Sequence, residues 1–309
     1  MSVMIPALNA ASVIDRCLDA VLAQELDLAF DVVVSVGPSD DDTAARVDAR
    51  AARDARVRRI DNPSGATPSA LNLAIQASEG DLVVRVDAHA ELPPGYLARL
   101  ADTATQTGAA NVGGLQRAVG EAPWSRAIAA AMRSRFGVGP AHFRSGSHEG
   151  PTDTVYLGGF RRFALDTVGG FDESLIRNQD YELNYRLRKA GFVVWLDPSL
   201  VVEYTPRDSL RRLWSQYRQY GRWKRVMVAR NPRSLRLRQT VAPALVVGLL
   251  GSAVLLALSN PIGLVIPALY LSAVALAASR LQGASRLRVA LAFATMHLAW
   301  GWGFLFSWR

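Results

Sequence analysis

The stretch Val83-Val84-Arg85-Val86-Asp87-Ala88-His89 decides the fold class, because an apolar, β-branched run ends abruptly in an acid and a histidine. Such a run predicts a buried parallel strand, and ligands bind at the carboxyl edge of an open α/β sheet. Side chains alternate along a strand, so Asp87 and His89 can face the same way. They are candidate ligands for a divalent cation. On these residues alone, an acid that caps the next turn is an equal alternative.

Strand-like and helix-like segments alternate on both sides of this stretch. The predicted strands of the first hundred residues are 2–6, 31–36, 56–60 and 81–86, and the predicted helices are 11–24, 42–53, 67–77 and 95–107. This rhythm of βαβ units predicts a mostly parallel, Rossmann-like sheet with helices on both faces. Later strands are predicted at 111–116, 193–196 and 200–204, and residues 155–162 are predicted to form a short strand that runs into a glycine-rich turn. Later helices are predicted at 123–133, 178–190 and 208–230. Residues 137–151 predict a loop, which is either a lid over a site or an ordinary surface loop.

Apolar and basic residues are concentrated in the last third of the chain. The 309-residue chain has a formal charge of +8, yet residues 207–238 alone hold eleven basic residues and one acid, which leaves −2 for the rest. No charged residue occurs from 241 to 279. We expect three membrane spans at 241–258, 262–279 and 289–306, since 18 helical residues reach about 27 Å. A hairpin of buried core helices is the less favoured alternative.

The basic segment 207–238 is predicted to be an interfacial helix, because it directly precedes the first span and suits anionic headgroups. The positive-inside rule then places residues 1–240 and the loop 280–288 in the cytosol, in a multi-pass protein of the inner (plasma) membrane. Positive charge confined to this segment disfavours a nucleic-acid partner. The single cysteine, Cys17, excludes an internal disulfide and belongs to an apolar helical pattern, and no signal peptide is visible.

Six motifs follow one another along the chain. They are Ile5-Pro6-Ala7-Leu8-Asn9, Gly37-Pro38-Ser39-Asp40-Asp41-Asp42-Thr43, the segment 62–72, Asp87-Ala88-His89, Asn178-Gln179-Asp180-Tyr181-Glu182-Leu183 and Gln219-Tyr220-Gly221-Arg222-Trp223. In this order they resemble the family 2 glycosyltransferases of the GT-A fold, and in particular the membrane-anchored, succinoglycan-biosynthesis-like branch. The resemblance covers roughly residues 1–230.

The resemblance implies an enzyme that uses a UDP- or GDP-linked nucleotide sugar. The donor-binding residues that it implies are Pro6, Asn9, Asp41, Gly65, Asn72 and Asp87. It also implies that Asp87 and His89 bind Mg²⁺ or Mn²⁺, and an imidazole suits Mn²⁺ better than Mg²⁺. The chain departs from the family pattern at Leu8, where an aromatic is usual, and at Val36, where an acid is usual. On the residues alone, Asn9 also fits a helix cap, and the acids at 40–42 also fit a helix N-terminus.

The resemblance assigns the acceptor side to the later motifs. Asp180 takes the position of the general base, although Gln179 replaces a glutamate of the family motif. A helix dipole is expected to keep Asp180 ionised. Glu182 is implied to support binding, and Gln219, Arg222 and Trp223 to contact the diphosphate and the acceptor. On the residues alone, a helix acid without function and an amphipathic membrane-surface helix remain alternatives.

We therefore expect a GT-A catalytic domain at 1–206, with a nucleotide-sugar half at 1–115 and an acceptor half at 116–206. An interfacial helix at 207–238 and a membrane domain at 239–309 complete the expected chain. The expected reaction is inverting, metal-dependent hexosyl transfer to a lipid-linked saccharide or polyprenyl phosphate, in exopolysaccharide or cell-envelope glycan synthesis. Two alternatives stay open, namely a processive polysaccharide synthase and a catalytically inactive membrane scaffold that retains the fold.

Overall fold

The computed structural model describes residues 1–139 and 148–307. These residues form two compact units, one of 1–116 with 148–203 and the other of 117–139 with 204–307. Residues 140–147, which make up most of the predicted loop, lie outside the described residues, so the lid interpretation stays a prediction. The expected linear division into 1–206, 207–238 and 239–309 also stays a prediction.

Within the described residues, eight strands form one mixed sheet. The strands are β1 Ser2–Ala7, β2 Asp31–Val36, β3 Val57–Asp61, β4 Leu82–Arg85, β5 Asn111–Ala118, β6 Gly150–Pro151, β7 Tyr156–Arg161 and β8 Val194–Tyr204. Their order in the sheet is β3-β2-β1-β4-β7-β5-β8-β6. β1 pairs in parallel with β2 and β4, and β2 with β3, whereas β7 pairs antiparallel with β4 and β5. The prediction of parallel strands therefore holds for the first four strands, and the sheet continues with antiparallel pairs.

Helices cover both faces of this sheet, as the sequence predicts, and a further set forms the second unit. The helices are α1 Ile14–Leu22, α2 Thr43–Ala51, α3 Thr67–Ala77, α4 Tyr96–Thr107, α5 Pro123–Arg133, α6 Arg135–Val138, α7 Arg162–Val168, α8 Gln179–Lys189, α9 Leu210–Arg230, α10 Val241–Ala257, α11 Val265–Ser279 and α12 Arg286–Phe306. Ile14, Cys17 and Leu18 of α1 are fully buried in one core with Val3 and Ile5 of β1. The interpretation of Cys17 as a core residue is therefore confirmed.

One local prediction needs correction, and one helix was not predicted. The predicted strands 193–196 and 200–204 are one continuous strand, β8, with Pro198 inside it. β6 is only two residues long and pairs with Trp195 and Leu196, so the missing N–H of Pro198 costs no hydrogen bond to that neighbour. Helix α7, which directly follows β7, was not predicted, because its seven residues are too few for a clear helical period.

The second unit contains three helices that are long and apolar enough to cross a membrane, Leu237–Ala257, Pro261–Ser279 and Arg286–Phe306. The third begins three residues before its predicted start, so Arg286 and Arg288 lie in its first turn and not in the expected loop. Helix α9 packs on α12 with the two backbones in contact. A Cβ on Gly221 would lie 2.1 Å from the carbonyl oxygen of Trp300, and one on Gly303 would lie 2.1 Å from that of Arg218.

Candidate active site

The acids of two distant motifs meet on one arginine. Arg85 is the last residue of β4, and its side chain is 9% exposed. Its Nε donates to Oδ1 of Asp87 at 2.9 Å, its Nη2 lies 2.8 Å from the same oxygen in an ion pair, and its Nη1 donates to Oδ1 of Asp180 at 2.5 Å. Because side chains two apart on a strand share a face, Arg85 and Asp87 project together from the carboxyl end of β4. The structure thus brings the cation-binding candidate and the base candidate to one place.

Both carboxylates remain accessible although the arginine is buried. The side chain of Asp87 is 18% exposed and that of Asp180 is 39% exposed. Burial raises the pKa of Asp180 above its usual value of 3.8, and the Arg85 guanidinium opposes the rise. Burial is the largest influence on the pKa of Asp180, and the expectation that the helix dipole keeps this acid ionised stays a prediction. For Arg85, burial alone would lower the pKa, and the charges of Asp180 and Asp87 raise it.

Tyr156 and His89 border the same strand end. Burial and the Asp87 carboxylate raise the pKa of Tyr156, the first residue of β7, well above its usual value. His89 is exposed two residues beyond Asp87. Sequence reasoning identified His89 but missed Tyr156 and Arg85. The signal for Arg85 was present, because one charged residue interrupts an otherwise apolar strand two positions before the acid.

Asn9 and Asp41 form a clasp between the loop after β1 and the loop after β2. The Oδ1 atom of Asn9 accepts from the backbone N–H of Asp40 at 2.8 Å, and Asn9 itself has φ 49°. Oδ2 of Asp41 accepts from the N–H of Ala11 at 3.0 Å, and Oδ1 accepts from the hydroxyl and N–H of Thr43. The Thr43 hydroxyl is the largest cause of a lowered pKa at Asp41. Both side chains therefore hold the shape of the loops in which donor binding is expected.

Pro6 and Gly65 lie beside this clasp. Pro6 is in β1 and pairs in register with Ser35 of β2. Gly65 has φ +65°, a conformation that favours glycine, and a Cβ on Gly37 would lie 3.1 Å from the Cα of Gly65. The chain segments that follow β2 and β3 therefore approach each other closely at two glycines.

Asn72 and Glu182, two further expected site residues, are engaged in structural contacts. The side chain of Asn72 exchanges two hydrogen bonds with the backbone of Phe171, both at 2.9 Å, and also donates to Glu173. Glu182 is 5% exposed, and both of its carboxylate oxygens accept from Arg186 at 2.7–2.9 Å. These contacts favour a structural role for both residues over the expected contacts with donor and acceptor.

The Gln-x-x-Arg-Trp motif lies on α9, in the second unit. The guanidinium of Arg222 lies 5.7 Å from the ring centroid of Trp223, within the range of a cation–π contact. Gln219 lies one turn after Ser215, and their side-chain atoms Nε2 and Oγ are 3.5 Å apart. Gly221, inside the motif, is the residue at which α9 meets α12.

Comparison with known proteins decides the family. The model of glycosyl transferase family 2 matches residues 2–169. A curated relative, the succinoglycan biosynthesis protein ExoA of Rhizobium meliloti (strain 1021), is 33% identical over 99% of this chain and 93% of its own length. The chain belongs to glycosyl transferase family 2. The resemblance inferred from the motifs, including the succinoglycan-like branch, is thereby confirmed.

Other similar proteins are more distant. A Methanococcus voltae enzyme is 24% identical over 74% of each chain; it is named dolichyl N-acetyl-α-D-glucosaminyl phosphate 3-β-D-2,3-diacetamido-2,3-dideoxy-β-D-glucuronosyltransferase. Among solved structures, the mannosyltransferase PcManGT of Pyrobaculum calidifontis matches 96% of this chain and 85% of its own, with TM-score 0.62 and 19% identity. S. aureus TarS 1–349 matches with TM-score 0.52 and 15% identity, and the chain spans 64% of its length. The two structural likenesses confirm the fold.

The residues at the end of β4 offer an oxygen and a nitrogen ligand that suit a divalent cation. Within residues 1–139 and 148–307, no group of three or more His, Cys, Asp or Glu side chains is placed to enclose a metal ion. Asp87 uses only Oδ1 for Arg85, and Oδ2 accepts no hydrogen bond from a described residue. One carboxylate oxygen and a neighbouring imidazole leave most coordination positions to diphosphate oxygens and water, as is usual for Mg²⁺ at phosphate sites.

Proposed function

We propose that this family 2 enzyme is an inverting glycosyltransferase that uses a nucleotide sugar and a divalent cation. The observation that carries the proposal is the pairing of Arg85 with both Asp87 and Asp180. Two acidic motifs, each at the end or start of a different element, are held at one site. One of them supplies the cation-binding acid and the other supplies the base.

Asp180 is the proposed general base. An inverting transfer needs one carboxylate to take the proton from the acceptor hydroxyl, and a positioned base contributes roughly 10²–10⁴ in rate. Asp180 lies in the first turn of α8 and keeps 39% of its side chain exposed. Its raised pKa makes it a stronger proton acceptor than an ordinary aspartate, because basicity rises with pKa.

Asp87 and His89 are the proposed holders of Mg²⁺ or Mn²⁺. The cation would offset the negative charge that grows on the nucleoside diphosphate as the glycosidic bond breaks. One observation on a similar protein and one on this chain support this proposal. PcManGT was solved with GDP-Man and Mn²⁺, and the imidazole of His89 suits Mn²⁺. Asn9, Asp41 and Gly65 lie in the loops where the nucleotide is proposed to bind, and Pro6 lies in β1 one residue before its end.

The proposed acceptor is a lipid-linked saccharide or a polyprenyl phosphate at the cytosolic face of the inner membrane. The names of two relatives support it, since one refers to succinoglycan biosynthesis and the other to a dolichyl-linked acceptor. Three apolar helices follow a segment with eleven basic residues, and each basic residue near an anionic surface contributes about 1 kcal/mol. Gln219, Arg222 and Trp223 of α9 are the proposed contacts with the acceptor and the diphosphate.

The proposal is tested with the purified full chain, labelled UDP- and GDP-sugars and an extract of native membrane lipids. We expect transfer from one donor, and we expect Asp180→Asn to lose roughly 10²–10⁴ of it while nucleotide-sugar binding persists. Asp166→Asn, the same change at an exposed position of α7, is the control and should be fully active. Normal turnover in Asp180→Asn would exclude Asp180 as the base, and no transfer from any donor would favour the inactive scaffold. Product length on a gel separates single addition from a processive synthase.

A further inference from the structure

The acids at the candidate site use their carboxylate oxygens differently from the two buried acids of the described residues. Asp197 and Glu182, which are 0% and 5% exposed, have both oxygens occupied. Asp197 accepts from Arg99 and Thr103 on Oδ2 and from Ser199 on Oδ1. Glu182 likewise uses both of its oxygens for Arg186.

Asp87 and Asp180 each use only one of their two carboxylate oxygens for contacts with Arg85. Arg85 takes Oδ1 of both acids, and Oδ2 of each accepts no hydrogen bond from any residue in the described part of the chain. Both side chains are partly exposed, whereas Arg85 is buried. The arginine therefore holds each acid by one oxygen and leaves the other toward the accessible side.

We propose that Arg85 is a positioning residue that holds the cation-binding acid Asp87 and the base Asp180 in a fixed arrangement relative to each other. By holding Oδ1 of Asp87 and of Asp180, it leaves Oδ2 of Asp87 for the cation and Oδ2 of Asp180 for the acceptor hydroxyl. This inference rests on the proposed function. It adds a residue, Arg85, that touches neither donor nor acceptor and acts through the two acids.

An arginine is needed for this role and a lysine does not replace it. The guanidinium is planar, keeps its charge and offers five donors in a fixed fork, so three of its nitrogens reach two carboxylates at once. An ammonium group is a point charge on a flexible stem and fixes neither the angle nor the spacing of two partners. Arg85 also separates two like charges, which would otherwise repel each other in a partly desolvated site.

The first test separates geometry from charge with Arg85→Lys and Arg85→Gln in the full-length protein. For Arg85→Lys we expect kcat to fall about tenfold or more while nucleotide-sugar affinity stays within about threefold, because only the transition-state arrangement is lost. Manganese binding without donor, followed by electron paramagnetic resonance, should be nearly unchanged in Arg85→Lys. In Arg85→Gln it should tighten about tenfold, because one positive charge near the cation is gone. A tighter cation site with slower turnover is not what general destabilisation produces.

The second test asks whether Arg85 acts through Asp180. Adding Arg85→Lys to Asp180→Asn should lower the residual transfer by clearly less than the tenfold expected in the wild type, because one of the two acids that Arg85 positions is already absent. An additive loss in the double variant, or wild-type kcat in Arg85→Lys, would overturn the inference.

Arg99→Lys is the matched control, since Arg99 pairs with the buried Asp197 and with neither site acid. It should lower the melting temperature with wild-type kcat and manganese affinity. If Asp180→Asn alone keeps full turnover, the proposed base fails. If Asp180→Asn is impaired and Arg85→Lys is not, only the role of Arg85 fails.

Discussion

Asn111 donates a hydrogen bond from Nδ2 to Oδ1 of Asn184 at 2.6 Å, and both side chains are buried. Asn184 in turn donates to the hydroxyl of Thr154 at 3.0 Å. Asn184 lies one helical turn after Asp180 on α8, whereas Asn111 begins β5. This pair of amides therefore fixes the helix that carries the proposed base to the sheet.

We predict that Asn184→Ala lowers both stability and turnover. The change leaves the Asn111 amide and the Thr154 hydroxyl without their partner in a buried place, which costs about 1–3 kcal/mol for each group that stays unpaired. Thermal melting in detergent and transfer kinetics measure the two effects. Lys189→Ala, an exposed position on the same helix, should change the free energy of unfolding by no more than about 0.5 kcal/mol. Equal melting temperatures for the two variants would contradict this prediction.

We predict an acid limb in the pH profile of kcat that lies above pH 3.8, the usual pKa of an aspartate. Burial raises the pKa of Asp180, and only the deprotonated carboxylate accepts a proton, so turnover falls as the pH drops through that raised value. Initial rates at saturating donor and acceptor give the profile. The limb should be absent from the residual activity of Asp180→Asn. A limb at or below pH 3.8 in the wild type would argue against this assignment.

We predict that excess chelator stops transfer, that Mn²⁺ restores it, and that His89→Asp shifts the preference toward Mg²⁺. A carboxylate supplies the oxygen ligand that Mg²⁺ prefers, whereas an imidazole suits Mn²⁺ better. Rates measured across a series of Mg²⁺ and Mn²⁺ concentrations give the ratio. Asp87→Ala should lose activity with both ions. Full activity in chelator would exclude the metal role of Asp87 and His89, and an unchanged ratio in His89→Asp would exclude His89 alone.

We predict that Asp197→Asn destabilises the first unit at neutral pH and that the difference disappears in acid. Burial alone would raise the pKa of Asp197, but hydrogen bonds from Ser199, Thr103 and Arg99 lower it below 3.8. A carboxyl whose pKa is lower in the folded state stabilises the fold above its unfolded pKa, and this contribution is lost as the pH falls through the folded value. Hydrogen bonds to a charged group contribute about 1.5–3 kcal/mol. Melting curves from pH 7 to below 3.8 should converge; parallel curves would contradict the assignment.

We predict that Gly221→Ala separates α9 from α12. Its methyl group would meet the carbonyl oxygen of Trp300 at 2.1 Å, which only a movement of the helices relieves. Melting temperature and transfer should both fall, because Arg222 and Trp223 move with Gly221. Gly251→Ala on α10 is the control, since a Cβ there meets no atom within 4 Å. It should be neutral or slightly stabilising because alanine favours helices over glycine. Equal behaviour of the two variants would show that the close approach is unimportant.

Local sequence patterns were enough to predict most of the secondary structure. The bounds of β2, α3 and α5 are those that the sequence predicts, because each has a clear period and a clear boundary signal such as Pro123. The antiparallel half of the sheet was not predicted, since β7 lies between β4 and β5 through pairings that no local pattern encodes.

The sequence predicted the acids of the candidate site, but it did not predict the residues that pair with them. Asp87 and Asp180 stand at element ends, where period and motif reveal them. Arg85, which pairs with both acids, lies within a strand. Its contact with Asp180 joins residues 95 positions apart, and the spacing of residues in the sequence does not predict such a contact. The same limit explains Asn72, whose partner Phe171 is 99 positions away. A motif shows which residues matter without showing whether they touch the ligand or support those that do.

The close approach of Gly221 to Trp300 also bears on how the protein is made. The helix that carries Arg222 and Trp223 leaves the ribosome well before α12, against which it packs. Its α12-facing surface stays uncovered during synthesis until α12 has emerged. The packing around α9 is therefore completed only after α12 has been made, so a chain interrupted before α12 would expose this face to chaperones and proteases.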